Sequence, residues 1–211
     1  LLYFMRFLPK AEVEEKEINF LEELRFFKLK DVQFVLLCMF LFFLGYGGFY
    51  TFLTPYVLEL LPSLAPIMSI LLVIIGIASF SGNHVGGVYA DKIGYKKALV
   101  LGSSLQGIIS ILIFLLPKEV FILIPLIILW QIAAWFTGIQ MITGMSVATD
   151  NKSSLMLSLN GSANQLGQAV GSSLSAFLIA HIHISYTVLL PLMGSLMIFG
   201  FSLLYRNFMT K

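Results

Sequence analysis

The chain has 211 residues, 58% of them hydrophobic and 11% charged, with a mean hydropathy of +0.93 and a formal net charge of +2. A water-soluble domain of this length cannot bury so much apolar surface, so the bilayer is its solvent, and a charge so small and scattered excludes a nucleic-acid partner. The single cysteine, Cys38, cannot form an internal disulfide and reads as a buried, unreactive thiol within an apolar run.

The sequence opens on Leu1-Leu2-Tyr3 without methionine or a cleavable signal, which reads as a truncated start. Residues 1–8 look like the tail of a preceding membrane helix. Residues 9–31 are charged throughout yet carry Ile18, Leu21, Leu24, Phe26 and Phe27. This spacing predicts an amphipathic helix lying on the membrane or the bundle, against the alternative of a solvated linker.

A helix needs about 20 apolar residues to cross a hydrocarbon core of about 30 Å. The uncharged intervals therefore count the spans. The first runs from Phe34 to Leu58, the second from about Ala65 to Ala90 after Pro62 and Pro66, the third from Ala98 to Leu116 and the fourth from Val120 to Thr149. The uncharged run from Ser153 to Tyr205 would make a helix of roughly 80 Å, so it holds two spans, Leu155 to Ala180 and Tyr186 to Leu204. The turn between them is His181-Ile182-His183-Ile184-Ser185. The expected fold is an all-α integral membrane bundle of six helices over residues 32–206, with a short tail at 207–211.

Positive charge sets the expected orientation. Arg6, Lys10, Lys16, Arg25, Lys28, Lys30, Lys92, Lys96, Lys97, Lys152, Arg206 and Lys211 fall on one side of this topology, and only Lys118 on the other. Both ends of the bundle are thus expected in the cytoplasm of a cell in whose plasma (inner) membrane it sits.

Polar groups within the membrane are costly unless they face a cavity or a partner. Asn160, Asn164 and Gln168 recur at i, i+4, i+8 and form one amide stripe on the fifth span. Gln131 and Trp135 share a face of the fourth span, and Tyr46 and Tyr50 share a face of the first beside Gly45, Gly47 and Gly48. These seven residues are the candidate substrate contacts, with hydrogen bonding between helices as the alternative. Aromatic rings with amide donors suit a moderately amphipathic neutral or cationic solute. Gln106 is expected to bond a neighbouring helix, and Gln140, nine residues from Gln131, to lie on the opposite helix face. His84 reads as structural at the membrane boundary. Glu59 reads as a solvated carboxylate, and His181 with His183 make a poor metal site. Acid and base pairs, HExxH and a nucleophile partnered by histidine are all missing from the spans, which argues against a membrane enzyme; neither a metal nor a cofactor is expected.

After the second span comes Gly87-x-x-Ala90-Asp91-Lys92-x-Gly94-x-Lys96-Lys97. This string resembles the signature loop of major facilitator superfamily transporters, which joins the second and third helices of each six-helix half on the cytoplasmic side. The fifth span, from Ser158 through Asn160, Asn164 and Gln168 to Ser172, resembles the corresponding helix of the drug and sugar proton-antiporter branch. The resemblance covers the whole chain as a C-terminal half built of two inverted three-helix repeats. It implies a carrier that moves a small solute by alternating access against an N-terminal half, with protons as the coupling ion and efflux as the direction. It implies gating roles for Gly87, Asp91, Lys92, Gly94, Lys96 and Lys97, with Asp91 placed to pair with cations or a helix N-terminus. The pairs Gly82/Gly86 and Gly167/Gly171, on the second and fifth spans, serve either packing within this half or a sliding contact with the other.

Overall fold

Lipid offers the backbone no hydrogen bonds, so each long apolar run must satisfy its own amides as a helix. The computed structural model describes residues 23–204, and every long uncharged interval is helical in it. The expected tail at 1–8, most of the 9–31 linker and the tail at 207–211 lie outside the described residues. The helices are α1 (Lys30–Thr51), α2 (Leu53–Leu60), α3 (Met68–Ile93), α4 (Tyr95–Leu115), α5 (Val120–Ala148), α6 (Ser154–His181) and α7 (Leu189–Leu204). Short 3₁₀ turns at Leu24–Lys28, Pro62–Ile67 and Ile184–Val188 precede α1, α3 and α7.

Among the described residues, five stretches are both long and apolar enough to cross a membrane: Lys30–Thr51, Pro62–Ile93, Tyr95–Leu115, Val120–Ala148 and Ile184–Leu204. The remaining long helix, α6, has 28 residues, about 42 Å at 1.5 Å each. It has the length of a span, but amides, serines and glycines dilute its apolar character.

Two elements depart from the expected pattern. The first span is not one helix but α1 and α2, broken at Phe52 (φ −105°, ψ 15°). Pro55 is the cause: it has no N–H for the Thr51 carbonyl, and its ring crowds the preceding turn. The second is the linker's boundary: Lys30, expected within the linker, already belongs to α1, while Glu23 is helical and Leu24–Lys28 forms a 3₁₀ turn, and the rest of the expected surface helix lies outside the described residues.

The ends are capped by specific groups. Ser153 accepts the Met156 N–H at the start of α6 (3.2 Å). Glu23 reaches the same helix end from 130 residues away, its Oε2 accepting the Ser153 hydroxyl and the Leu155 N–H, each at 2.7 Å. A carboxylate there satisfies N–H groups that lack intrahelical partners and meets the positive end of the helix dipole. Those bonds, the Ser153 hydroxyl first and the Leu155 N–H second, hold the Glu23 carboxyl below its ordinary value. At the end of α4 the Lys118 ammonium donates to the carbonyls of Ile113, Phe114 and Leu116, so this lysine closes a helix C-terminus. Gly94, at φ +82°, turns the chain directly from α3 into α4.

The packing repeats itself. Helix α3 packs on α5 and α6 on α1; α4 packs on α5 and α7 on α1; α1 meets α5, and α4 meets α7. Exchanging the first three spans for the last three maps these six pairs onto one another, as two related three-helix units do, whereas the lesser contacts of α3 with α4 and of α5 with α6 have no such counterpart. Glycines make both close approaches. A methyl group at Gly86 would sit 2.8 Å from the Phe136 carbonyl oxygen on α5, and one at Gly167 would be 3.0 Å from the Leu44 nitrogen on α1. The Gly82/Gly86 and Gly167/Gly171 pairs are therefore used in packing within this bundle.

Candidate substrate site

Tyr46 lies at the meeting point of α1, α3 and α5. The Gln131 amide of α5 donates to Ser79 Oγ of α3 (2.8 Å) and to the Tyr46 hydroxyl (3.2 Å). Ser79 passes its own proton back to the Ile75 carbonyl (2.9 Å). Gln131 Oε1 is buried with no partner among the described residues. One side chain thus ties three helices together, which is costly to desolvate and correspondingly position-specific.

Aromatic rings surround this node. Tyr46 is nearly parallel to Trp130 (centroids 5.5 Å apart, 5°) and to Tyr50 (5.0 Å, 15°), and Trp135 meets it edge-on (6.1 Å, 77°). The parallel rings differ in cover: Trp130 is 0% exposed, Tyr46 4% and Tyr50 39%. Trp135 is half-buried. Tyr50 is accordingly the ring of this set that is open to an incoming molecule.

The amide stripe of α6 divides in the same way. Asn160 is buried, its Oδ1 without a partner among the described residues. Asn164 and Gln168 are half-buried and bonded to each other, Gln168 Nε2 to Asn164 Oδ1 at 2.7 Å. Gln168 rests on Gly47: a methyl group there would be 2.7 Å from the Gln168 Cα. The amide pair therefore borders α1 one turn before Tyr50. Of the seven candidate contacts, Tyr46, Gln131 and Asn160 are buried in the bundle's own packing, whereas Tyr50, Trp135, Asn164 and Gln168 retain open surface.

The residues of the signature string end α3 and begin α4, with only Gly94 between the two helices. Asp91, Lys92 and Lys97 are exposed, Gly87 is half-buried, and Asp91 makes no ion pair among the described residues. Lys96, largely covered, lies 3.8 Å from Asp31 at the start of α1.

Residues 35–208 match the sequence profile of the Major Facilitator Superfamily. The chain belongs to that superfamily. Two curated relatives from Bacillus subtilis (strain 168) carry its description: the uncharacterized MFS-type transporter YbcL is 30% identical over 200 residues, covering 92% of this chain and 51% of its own length. The uncharacterized MFS-type transporter YwfA is 26% identical over 168 residues, covering 78% of this chain and 39% of its own length. The chain spans about half the length of the curated relatives it matches, or less.

Several polar contacts of this superfamily member differ from the sequence expectation. Gln140 lies half a turn from Gln131 around α5, as expected, yet both reach α3. Gln140 Nε2 donates to the carbonyl oxygens of Gly86 (2.8 Å) and Phe136 (2.9 Å). At about 100° per residue the α5 seam of Ile132, Phe136 and Ile139 runs between the two glutamines, which flank it on either side. Gln106 is buried, but its Nε2 finds no partner on a neighbouring helix among the described residues. Glu59 lies 3.2 Å from His183 Nε2, and His183 Nδ1 accepts the Ser185 N–H (3.1 Å). His84 and His181 are exposed. No pattern along the chain points to the Glu59–His183 or Glu23–Ser153 contacts, because each joins residues more than a hundred positions apart.

Proposed function

We propose that this chain is the C-terminal half of a twelve-helix carrier, which moves a small amphipathic solute by alternating access against an N-terminal half. The observation that carries this reading is the surface of α6. Ser158, Ser162, Gln165, Ala169 and Ser173 form an exposed stripe along the helix, a poor surface for lipid and a good one for another protein or an aqueous path. On the same helix the half-buried amides Asn164 and Gln168 would meet the solute together with Tyr50 and Trp135. Coverage of about half of a relative's length supports the missing partner half.

Within this reading the carrier is an efflux permease of the drug and sugar antiporter type, driven by protons in the cell membrane. The Asp91 loop and both ends of the bundle are cytoplasmic, and the Lys118 and His183 turns are exterior. Proteoliposomes test the proposal. Saturable solute flux driven by a proton gradient is expected from the complete carrier and not from this chain alone. Saturable flux by the chain alone, with crosslinking excluding a homodimer, would refute the division into halves, and flux by neither would favour a non-transporting scaffold.

A further inference from the structure

We infer that the solute carries a flat aromatic ring, uncharged where it meets this half, which stacks on Tyr50. This rests on the carrier reading and specifies its substrate class. The near-parallel rings of Trp130, Tyr46 and Tyr50 end at Tyr50, which is 39% exposed, while the first two are covered. Their planes are held from behind: the Tyr46 hydroxyl is fixed by Gln131, which is itself fixed by Ser79. Tyr50 thus presents a pre-aligned face, and offset stacking is the arrangement that aromatic quadrupoles favour.

The surroundings on this half offer no counter-charge to a charged moiety at this position. No Asp, Glu, Lys or Arg occurs in 32–58, 60–90, 98–117, 120–149 or 153–204, and His84, His181 and His183 are the histidines within them. An ionic group stacked on Tyr50 would therefore be desolvated without a counter-charge from this half. Hydrogen bonding is available instead. With Gln168 Nε2 committed to Asn164 Oδ1, the Asn164 N–H groups and the Gln168 carbonyl oxygen offer one donor and one acceptor site near Gly47, one turn from Tyr50. A ring bearing a hydroxyl or carboxamide matches that pair.

Equilibrium dialysis of the purified complete carrier against two matched pairs tests the inference: phenol with cyclohexanol, and 2-naphthol with decahydro-2-naphthol. All four are neutral at pH 7. The aromatic member should bind at least about threefold more tightly, the scale of one aromatic contact. Tyr50→Phe should keep this ratio and Tyr50→Leu should bring it to about one, with both variants eluting as the parent does in size-exclusion chromatography. A ratio near one in the parent, no binding by either member of both pairs, or a ratio that survives Tyr50→Leu would overturn the inference. Saturable flux of another solute without aromatic preference would leave the carrier reading standing while removing this one.

Discussion

Gly171 of α6 lies so close to Leu44 of α1 that a methyl group on its Cα would overlap the Leu44 carbonyl oxygen. One helical turn further on, Ser175 Oγ donates to the Gly48 carbonyl oxygen at 2.6 Å, so the most polar long helix is held to the bundle through backbone contact. Between membrane helices no hydrophobic effect drives association, and close backbone approach takes its place. Gly171→Ala should therefore destabilise the bundle by about 1–3 kcal/mol, the usual scale of overpacking. Gly161→Ala, with nothing within 4 Å of the added carbon, should leave stability unchanged or slightly raised. Thermal unfolding of the two variants in one detergent checks the contrast.

The two buried glutamines that sequence alone ranks alike should separate in the same assay. Gln140→Met removes one bond to the Gly86 carbonyl of α3 and one to the Phe136 carbonyl of its own helix and should cost about 0.6 kcal/mol, the mean for an interhelical bond in membranes, and at most about 1.7. Gln106→Met removes a buried amide whose Nε2 has no partner among the described residues and should be neutral or stabilising.

What the sequence made legible was whatever depends on composition along one helix. Charges such as Glu59, Lys97 and Asp150 bracket the apolar runs, so span positions could be read to within a few residues. Breaks decided by a residue one turn away, such as Phe52 by Pro55, were readable only in retrospect. The site was legible by face but not by depth. Tyr46 and Tyr50 share a face at i, i+4, and only the packing of α1 against α5 makes the first buried and the second open. Gln131 and Gln140 fall half a turn apart, and only the position of α3 between them brings both to the same neighbour.

Glu23 gives a pH dependence with a definite sign. Its carboxyl is held below its ordinary value of 4.5 by the Ser153 hydroxyl and the Leu155 N–H. The unfolded chain therefore takes up the proton first as pH falls. The contribution to stability is complete above about 4.5 and disappears as pH drops through the lowered folded value. The protection factor of the Leu155 amide, the unstructured exchange rate over its own at the same pH, should fall over that acid window in the parent. In Glu23→Gln it should be lower at neutral pH and lose the acid step.

Asp91 makes no ion pair within the described residues, while Lys96 of the same loop is paired with Asp31. If Asp91 acts on the other half, Asp91→Asn in the complete carrier should lower turnover and leave solute affinity within about threefold, because the loop is remote from Tyr50 and Asn164. The expected conformational bias is about 1–3 kcal/mol. A loss of affinity well beyond that bound would make Asp91 a binding residue, and unchanged flux, affinity and accessibility would reduce the loop to a connection.

Alternating access itself is read most directly at Asn164, the half-buried amide of α6. With the buried Cys38 replaced by serine, Asn164→Cys in the complete carrier can be challenged with a membrane-impermeant thiol reagent from either face of sealed, uniformly oriented vesicles. The account predicts modification from both faces, each slowed by saturating solute, while the vesicles stay tight to the reagent. Modification from one face only, or from neither, under every solute and proton gradient would contradict it.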